Sequence, residues 1–462
     1  NHIFAQTYFV NNRTDNQGNG TIQNPYSLEQ AIAVAKPGDV FRLAKGIYEI
    51  KINARLIFDK NGTLSEPIYW IGEIGSDISA DSLTSSGTQS TVIINNNYPS
   101  NEPVRITGAY NYFKKIIFIQ NYNVSGYTFA DITGQGVVWD SVAFKYPPNL
   151  GSDNNHSIYV DARDVTFKNS TFRNGSRCII WVMSFNDRAA NNFLMDNCTL
   201  KGAAHHPAIQ FMPMPGQTAP QYIDSVIIRN STFIDNSYGN NLYARWARYF
   251  AIYNNLFIRS GAAFDGDHHQ YPDASRGDSV DSKGSIIAYN TIIDNSNGSR
   301  NGFSTKSFQN LINVNNIYYS ASRFKNILSY NRGYRANPQT PINQRMVIDH
   351  NLYYQASTPY NWQFDTPDGT TRTTTNYSTF NTYDGYNFNV YSIYNIAPNF
   401  INASADNYRL NTNITGKPIT KANGFLYDIT TDKEGVLRDS SNPTIGAFEY
   451  VDNQVIQDND PP

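Results

Sequence analysis

Charged residues are scarce in this chain. Only 16% of its 462 residues are Asp, Glu, Lys or Arg, and the formal net charge is -2; soluble domains average about 25% charged residues. A near-neutral chain lacks the bulk positive charge that attracts nucleic acid, so we expect no nucleic-acid partner. Apolar runs of about 18 residues are also missing, so we expect no membrane span. With 14% aromatic residues, the composition is not that of a disordered protein.

Glutamate is absent from the centre of the chain. The seven glutamates lie within residues 29–102 and 434–449. Acid–base or metal chemistry in the centre must therefore use Asp, His, Lys, Arg or Tyr. Because glutamate is a strong helix former, the gap also argues against a helical centre.

Cysteine is limited to Cys178 and Cys198. Their spacing matches no metal-binding pattern, and the two thiols are either free and buried or joined in a disulfide. The opening residues Asn-His-Ile-Phe-Ala-Gln resemble the end of a cleaved secretory signal. We therefore expect a secreted, periplasmic or cell-surface protein, with residues 1–6 a residual signal or disordered.

A short pattern built around asparagine repeats along the chain. Apolar residues precede each Asn, and an aromatic or aliphatic residue follows two or three positions later. The copies are centred on Asn169, Asn197, Asn230, Asn255, Asn290, Asn316 and Asn351. Spacings of 25 to 35 residues between them are typical of solenoid coils that carry loop insertions.

Stacked asparagine side chains can hydrogen-bond along the turn of a solenoid. We expect the repeated asparagines to point inward as such a ladder. In that arrangement the Asn-x-Ser/Thr sequences at Asn169, Asn197 and Asn230 are not glycosylation sites.

The repeats consist of short β-rich runs broken by turn residues, which predicts an all-β, single-domain solenoid over residues 7–452. The N-terminal cap, residues 7–50, contains a strand at 8–10 and a helix at 27–36. Residues 358–390 are predicted to be a long loop, residues 395–450 closing coils, and residues 453–462 a disordered tail.

Both ends of the chain resemble secreted right-handed parallel β-helix proteins. Residues 8–49, beginning YFVNNRTDNQGNG, are similar to their first coil and cap, and residues 398–450, ending PTIGAFEY, to their closing coils. Together with the asparagine repeats, the resemblance covers nearly the whole chain. It implies a right-handed parallel β-helix with a short N-terminal capping helix, a fold that serves lyases, hydrolases, epimerases and tailspikes.

One strand of each coil can be aligned with its equivalents in the other coils. The aligned segments are 156–161, 178–183, 208–212, 241–245, 279–283 and 302–306. Alternation then points Ile158, Ile180, Ile209, Leu242, Val280 and Phe303 inward. One outward column contains Tyr159, Trp181, Gln210, Tyr243, Asp281 and Ser304. The other contains Asp161, Met183, Met212, Arg245, Lys283 and Lys306.

The second column places three cations, Arg245, Lys283 and Lys306, on successive coils about 4.8 Å apart. Like charges at this spacing lower the pKa of a lysine towards the range in which it can accept a proton. The row also attracts anions, and the aromatic rings beside it suit sugars, so we expect an acidic polysaccharide as substrate. The residues expected to bind it are Tyr159, Trp181, Tyr243, Asp281, Arg300 and His206. The alternative is an ordinary solvated row of cations.

The longest insertion within the repeats, residues 261–278, is dense in ionisable groups. It contains Asp265, Asp267, His268 and Asp278. Such a loop beside the cationic row is the best candidate for a functional site, although a hydrated surface loop has the same composition.

Residues 277–307 resemble the active-site coils of β-helix polysaccharide lyases, the chondroitinase B, alginate lyase and pectate lyase group. In that pattern a catalytic Lys follows acidic calcium ligands, and the next coil carries a cation. The resemblance implies these roles for Lys283, Asp278 and Lys306. The family's acidic ligands are typically Glu and its next-coil cation Arg, so this chain departs from the pattern at both. Calcium, held by Asp265, Asp267 and Asp278, is the cofactor that the resemblance suggests.

These residues suit β-elimination from a uronate polymer by a monomeric polysaccharide lyase. Lys283 would abstract the proton alpha to the carboxylate, Arg245 and Lys306 would neutralise the carboxylate, and His268 or Tyr243 would protonate the leaving oxygen.

Two alternatives remain open at this point. The first is a glycoside hydrolase with paired carboxylates, either Asp265 with Asp267 or Asp278 with Asp281. The second is a β-helix that binds glycans without cleaving them.

Overall fold

A computed structural model describes most of the chain. The described residues are 6–51, 54–74, 90–96, 102–121, 128–147, 156–175, 178–185, 189–203, 207–213, 221–236, 240–244, 247–260, 262–267, 280–281, 284–294, 301–306, 308–309, 311–331, 347–365, 371–381 and 389–451. The chain divides into two compact units. Unit 1 comprises Asn1–Met183, Ala189–His205 and Gln457–Pro462, and unit 2 comprises Ser184–Arg188 and His206–Ile456.

The described strands of unit 1 form three parallel sheets, which the chain visits in turn. Sheet 1 contains β1 (Thr7–Val10), β2 (Val40–Leu43), β5 (Ile68–Ile71), β8 (Asn111–Lys114), β11 (Val138–Asp140), β14 (Thr166–Lys168) and β17 (Leu194–Asp196). Sheet 2 contains β3 (Gly46–Glu49), β6 (Thr91–Asn95), β9 (Ile117–Gln120), β12 (Ala143–Lys145), β15 (Thr171–Gly175) and β18 (Thr199–Ala203). Sheet 3 contains β4 (Leu56–Phe58), β7 (Val104–Ile106), β10 (Ala130–Ile132), β13 (His156–Val160) and β16 (Cys178–Ser184).

The described strands of unit 2 follow the same order, and its sheets are named by the same positions in the coil. Sheet 1 contains β21 (Ile227–Arg229), β25 (Ala251–Tyr253), β29 (Ile286–Ala288), β33 (Ile312–Val314) and β36 (Val347–Asp349). Sheet 2 contains β22 (Thr232–Ile234), β26 (Leu256–Ile258), β30 (Thr291–Asp294), β34 (Ile317–Ser320), β37 (Leu352–Gln355) and β40 (Ile393–Tyr394). Sheet 3 contains β19 (Ile209–Pro213), β23 (Asn240–Ala244), β27 (Ala262–Asp267), β31 (Phe303–Lys306), β35 (Leu328–Asn331), β38 (Trp362–Asp365) and the antiparallel β39 (Thr371–Thr374).

Smaller elements complete unit 2. Two-stranded parallel pairs join β20 (Ile223–Asp224) to β24 (Ala247–Arg248) and β28 (Val280–Asp281) to β32 (Phe308–Gln309). An antiparallel hairpin joins β41 (Phe400–Asn402) to β42 (Asn407–Leu410).

Three strands per coil, each paired in parallel with its equivalent one coil away, are the defining geometry of a parallel β-helix. Parallel crossovers are right-handed with few exceptions. Inward-pointing rings stack between coils, as Phe41 does on Trp70 at 4.5 Å in unit 1 and Phe233 on Phe257 at 4.7 Å in unit 2. The right-handed parallel β-helix expected from the sequence is confirmed.

The predicted capping helix is present as α1 (Leu28–Val34). Ser27 begins it, since its hydroxyl accepts a hydrogen bond from the Gln30 N–H at 3.1 Å, as serine does at many helix N-termini. The helix buries Leu28, Ala31 and Ile32.

The asparagine ladder is present in unit 2. Asn255, Asn290, Asn316 and Asn351 are fully buried. Each of the first three donates its Nδ2 to Oδ1 of the next at 3.0, 3.0 and 3.1 Å. The side chains also bond to backbone groups of the turn, which satisfies polar atoms that the bend would otherwise leave unpaired.

The prediction that Asn169, Asn197 and Asn230 point inward is wrong. These three residues lie at left-handed positions with φ near +50°, and Asn169 and Asn197 are exposed. Asn197 donates to Asn169 at 3.0 Å in an outer row. Asparagine is favoured there because its short polar side chain tolerates the left-handed backbone. The inward position belongs to the residue that follows each one.

Residues 358–390 are not one long loop. They include β38, β39 and α2 (Tyr377–Asn381), and Trp362 is fully buried. Burial of this ring against Phe380, at 5.1 Å between ring centroids, explains why a Thr- and Asn-rich segment is structured.

The segment expected to form closing coils, residues 395–450, packs along unit 2. Besides the β41–β42 hairpin it contains 3-10 turns at Ala403–Ala405 and Lys421–Asn423. Ile419 and Ile429 join a buried cluster with Ala251 and Tyr289. The segment thus covers part of sheet 1 of this unit.

Cys178 and Cys198 are buried free thiols. Among the described residues, no helix has both the length and the apolar composition needed to cross a bilayer.

Candidate functional site

Sheet 3 of unit 2 carries a row of polar residues at matched register. The row runs Gln210, Tyr243, Asp265, Ser304, Ser329 and Gln363. Neighbouring strands of a sheet are about 4.8 Å apart, so consecutive members lie side by side. The row matches the outward column that alternation predicts, except that Asp265 lies where the alignment places Asp281.

The alignment of segment 279–283 with the other coils is wrong. The strand between β23 and β31 is β27, which pairs Tyr243 with Asp265 and Asp265 with Ser304. Val280 and Asp281 instead pair with Phe308 and Gln309 in a separate two-stranded sheet.

The inward position of β27 explains the register. Phe264 is buried and packs on Phe250 and Phe303, at ring-centroid distances of 5.0 and 5.9 Å. A phenylalanine at this position buries more apolar surface than Val280 would, and it fixes Asp265 on the outer face.

The cationic row predicted from the sequence is interrupted. The register partner of Lys306 is Asp267, whereas the alignment had placed Lys283 at this position of the sheet. An acidic residue therefore takes the position beside Lys306 where the alignment places a cation.

Several predicted site residues lie outside the described residues: Lys283, Arg245, His268, Arg300, His206 and Asp278. For Lys306, Asp267 and Asp281 only the backbone position is described. The structure therefore brings together Tyr243, Asp265 and Ser304 from the predicted face.

Tyr243 and Asp265 are neighbouring accessible members of the row, and Gln363 is a third member with exposed surface. All three are partly exposed, whereas Gln210, Ser304 and Ser329 retain at most 5% exposure. An aromatic ring beside a carboxylate on adjacent strands can stack on a sugar and accept hydrogen bonds from its hydroxyl groups.

Sheet 3 of unit 1 carries a second row. Arg105, Asp131, Tyr159 and Trp181 follow one another in register. The rings of Tyr159 and Trp181 meet edge to face at 5.4 Å. Tyr159 is partly exposed but Trp181 is only 3% exposed, so Tyr159 presents more surface to solvent than the other predicted sugar-binding ring of this row.

The unit 1 row contains an ion-pair cluster that the sequence analysis missed. Arg105 lies 3.3 Å from the carboxylate of Asp131 and 3.4 Å from that of Glu102. The alternation of strands β7 and β10, Val-Arg-Ile and Ala-Asp-Ile, already places these two charges on the outer face. Extending the strand alignment towards the N-terminus would have found them.

The described residues do not form a calcium site. Calcium takes six to eight oxygen ligands, and of the three expected ligands only the Asp265 carboxylate is described. In the part of the chain that the structure describes, no three His, Cys, Asp or Glu side chains come close enough together to hold a metal ion. No chemical step is therefore assigned to calcium.

No family model matches the chain, and no curated protein sequence matches it. Solved structures do. The pectate lyase Pel9A superposes with a TM-score of 0.54 at 15% identity, covering 97% of both chains. A GH136 lacto-N-biosidase from Eubacterium ramulus superposes with a TM-score of 0.51 at 12% identity, covering 85% of this chain and 68% of the other. A rhamnogalacturonan lyase gives a TM-score of 0.45 at 11% identity, covering 94% and 95%.

The chain shares the fold of the pectate lyase and the lacto-N-biosidase. At such identities the likeness shows the parallel β-helix and not the reaction.

Proposed function

We propose that the protein is a secreted polysaccharide lyase that cleaves a uronate-containing polymer by β-elimination. The observation that carries the proposal is the likeness to a pectate lyase over 97% of both chains. The partly exposed Tyr243–Asp265 pair on sheet 3 supports it, because a ring beside a carboxylate suits a sugar.

In the proposed reaction Lys283 takes the proton from the carbon alpha to the uronate carboxylate. The electrons of that C–H bond form a carbon–carbon double bond, and the glycosidic C–O bond at the beta carbon breaks. His268 gives a proton to the departing oxygen. Arg245 and Lys306 stabilise the negative charge that develops on the carboxylate.

The Lys283→Ala variant tests this assignment. Removal of a general base is expected to lower kcat by about 10²- to 10⁴-fold, measured as the ultraviolet absorbance of the unsaturated uronate product. The matched control is Lys421→Ala, because Lys421 is an exposed residue of the C-terminal segment, 4.0 Å from Asp428. A Lys283→Ala enzyme as fast as the parent would contradict the assignment.

A calcium requirement is tested in the same assay. If Asp265, Asp267 and Asp278 hold calcium, a chelator is expected to abolish product formation and added calcium to restore it. Activity that a chelator leaves unchanged excludes the ion from the reaction.

A glycoside hydrolase is the second candidate, and β27 favours it. Asp265 and Asp267 are two residues apart on this strand, a backbone separation of about 7 Å. Hydrolases place their two carboxyl groups about 5–9.5 Å apart. The fold likeness to a lacto-N-biosidase agrees with this alternative.

The products decide between the two reactions. A hydrolase would release reducing ends without ultraviolet absorbance, and Asp265→Asn would abolish their release. A lyase would produce one absorbing double bond for each new reducing end.

A further inference from the structure

A rigid cluster of charged and aromatic residues lies at the corner that follows sheet 3 in unit 2. Strand β24, which begins three residues after β23 ends, pairs with β20 so that Arg248 faces Asp224. Arg248 Nε donates to Asp224 Oδ1 at 2.6 Å and Nη2 donates to Oδ2 at 3.0 Å. This bidentate geometry fixes the plane of the guanidinium group.

Two tyrosine rings flank the guanidinium group. Its central carbon lies 4.5 Å from the ring centroid of Tyr222 and 5.3 Å from that of Tyr249. The hydrogen bonds that Arg248 donates to Asp224 raise the pKa of Arg248, so the group is charged at every accessible pH. All four residues are partly exposed.

Arg259 of the same unit serves as a comparison, because its role is structural. It pairs with Asp235, also 24 residues earlier, through Nε at 2.7 Å and Nη2 at 3.4 Å. Its Nη1 then donates to both carboxylate oxygens of Asp406 at 2.6 and 2.8 Å. All three nitrogens of this guanidinium group therefore donate to protein carboxylates.

Arg248 pairs with its first carboxylate in the same way as Arg259 and is about equally exposed. The two residues differ in what their Nη1 atoms contact. The side chains of Arg248 and Arg259 are 34% and 37% exposed. Among the described residues, Arg248 Nη1 has no acceptor. Nη1 and the second N–H of Nη2 form a planar pair of donors directed away from Asp224.

We infer that Tyr222, Asp224, Arg248 and Tyr249 form a subsite that binds the carboxylate of a uronate residue. The free edge of the guanidinium group matches the two oxygens of a carboxylate. Within the same unit, Nη1 of Arg259 likewise takes up a second carboxylate, that of Asp406. The tyrosine rings supply apolar surface for the sugar ring. The subsite rests on the proposed function, since it takes the same class of substrate.

The subsite lies within reach of sheet 3. Arg248 lies five positions after Tyr243, so their Cα atoms are at most about 18 Å apart. An oligosaccharide lying over Tyr243 and Asp265 can extend to this corner.

The pairing with Asp224 also determines how much net charge contributes to uronate binding. Because Asp224 neutralises the charge of Arg248, affinity comes from directional hydrogen bonds and little from net charge. Binding should therefore depend only weakly on salt concentration. Lysine, a point charge without the planar fork, should not replace Arg248.

Calorimetric titration of the full chain tests the subsite. The probes are trimers of galacturonate, mannuronate and glucuronate, each with a carboxyl-reduced counterpart, and Lys283→Ala is the background that prevents turnover. At least one uronate trimer is expected to bind. Arg248→Met should raise its Kd by about tenfold or more, and Arg248→Lys should raise it by a similar factor. Neither change should affect the carboxyl-reduced trimer.

Two controls separate binding from folding. Arg259→Met is expected to lower thermal stability while the folded protein keeps its Kd, and the double variant Asp224→Asn/Arg248→Met removes the carboxylate that Arg248→Met leaves without its partner. The inference is overturned if no uronate trimer binds, or if the Arg248 variants bind as tightly as the parent. Arg248-dependent binding, combined with no unsaturated product when the parent chain is incubated with uronate polymers, would leave the subsite in place and refute the lyase reaction.

Discussion

Arg438 is the most deeply buried cation among the described residues, with a side chain 2% exposed. It lies 3.1 Å from Glu449, donates to Asn254 at 2.9 Å, and stands 3.9 Å above the ring of Tyr289. Burial lowers its pKa, and the neighbouring Tyr289 and Glu449 oppose that shift. This residue joins the C-terminal segment to the coils of unit 2.

Arg438→Met should therefore be strongly destabilising. The change leaves the Glu449 carboxylate buried without its partner, which typically costs about 3–5 kcal/mol. Urea denaturation measures the loss, and Lys421→Met, which removes an exposed pair, should cost less than about 1 kcal/mol. Equal losses in the two variants would contradict this account of Arg438.

Asp349 makes the folding stability of unit 2 depend on pH in the acid range. Burial alone would raise its pKa, but the neighbouring His350 side chain, with Nδ1 3.4 Å from the carboxylate, and hydrogen bonds from the N–H groups of Tyr391 and His350 outweigh that effect and hold the pKa below its ordinary value. A carboxyl group whose pKa is lowered by folding stabilises the protein above its unfolded pKa. That stabilisation is lost as the pH falls through the folded value.

Asp349→Asn should consequently lower the free energy of unfolding by about 1 kcal/mol at pH 7. The difference in the free energy of unfolding between parent and variant should shrink below about pH 4, because the parent's carboxyl group becomes protonated and loses its charge there. Urea denaturation at both pH values checks this. A difference that stays constant with pH would exclude a role for the charged carboxylate.

At the scale of the element, the turn after sheet 1 holds asparagines at two adjacent positions with opposite environments. Asn290, at the inner position, is fully buried and bonds to Asn255, Asn316 and the Ile252 carbonyl. Asn197, at the outer position, is exposed and donates to Asn169 alone among the hydrogen bonds that the described residues show for it.

Asn290→Ala is expected to cost about 3 kcal/mol, because it leaves several buried donors and acceptors without partners. Asn197→Gly, which keeps the left-handed backbone accessible, should cost less than about 1 kcal/mol. Comparing the two by chemical denaturation distinguishes the inner position from the outer one. Similar costs would mean that the ladder contributes no more than the outer row.

The sequence predicted the strands better than their alignment. Alternation correctly placed Ile158, Leu242 and Phe303 on the inner side, because each coil repeats the same steric demand. It failed at β27, where Ala-Ala-Phe-Asp-Gly-Asp carries too few β-branched residues to indicate a strand. Packing of Phe264 between Phe250 and Phe303, a contact between coils, decides the register there.

The asparagine pattern was ambiguous for a related reason. Inner and outer asparagines are adjacent in sequence, and both positions favour the residue, one for its hydrogen bonds and the other for its left-handed backbone. Sequence alone does not separate Asn230 from Asn255 without the register of the coils.

For the whole molecule, the fold was predictable because it is specified many times over. Each coil independently repeats the same alternation and the same turn. The candidate site is specified once, by insertions such as residues 261–278 and by corner residues such as Arg248, so no repetition supports its prediction. The likeness to a pectate lyase over 97% of both chains agrees with the fold, and the reaction is a proposal.

The most direct test of the proposed reaction is a cleavage screen of the full chain. The screen covers pectin, rhamnogalacturonan, alginate and glycosaminoglycans, and records ultraviolet absorbance and new reducing ends together. We predict that at least one uronate polymer yields absorbing product in equal number to its new reducing ends. Reducing ends without absorbance, or no cleavage of any uronate polymer, would contradict the proposed lyase.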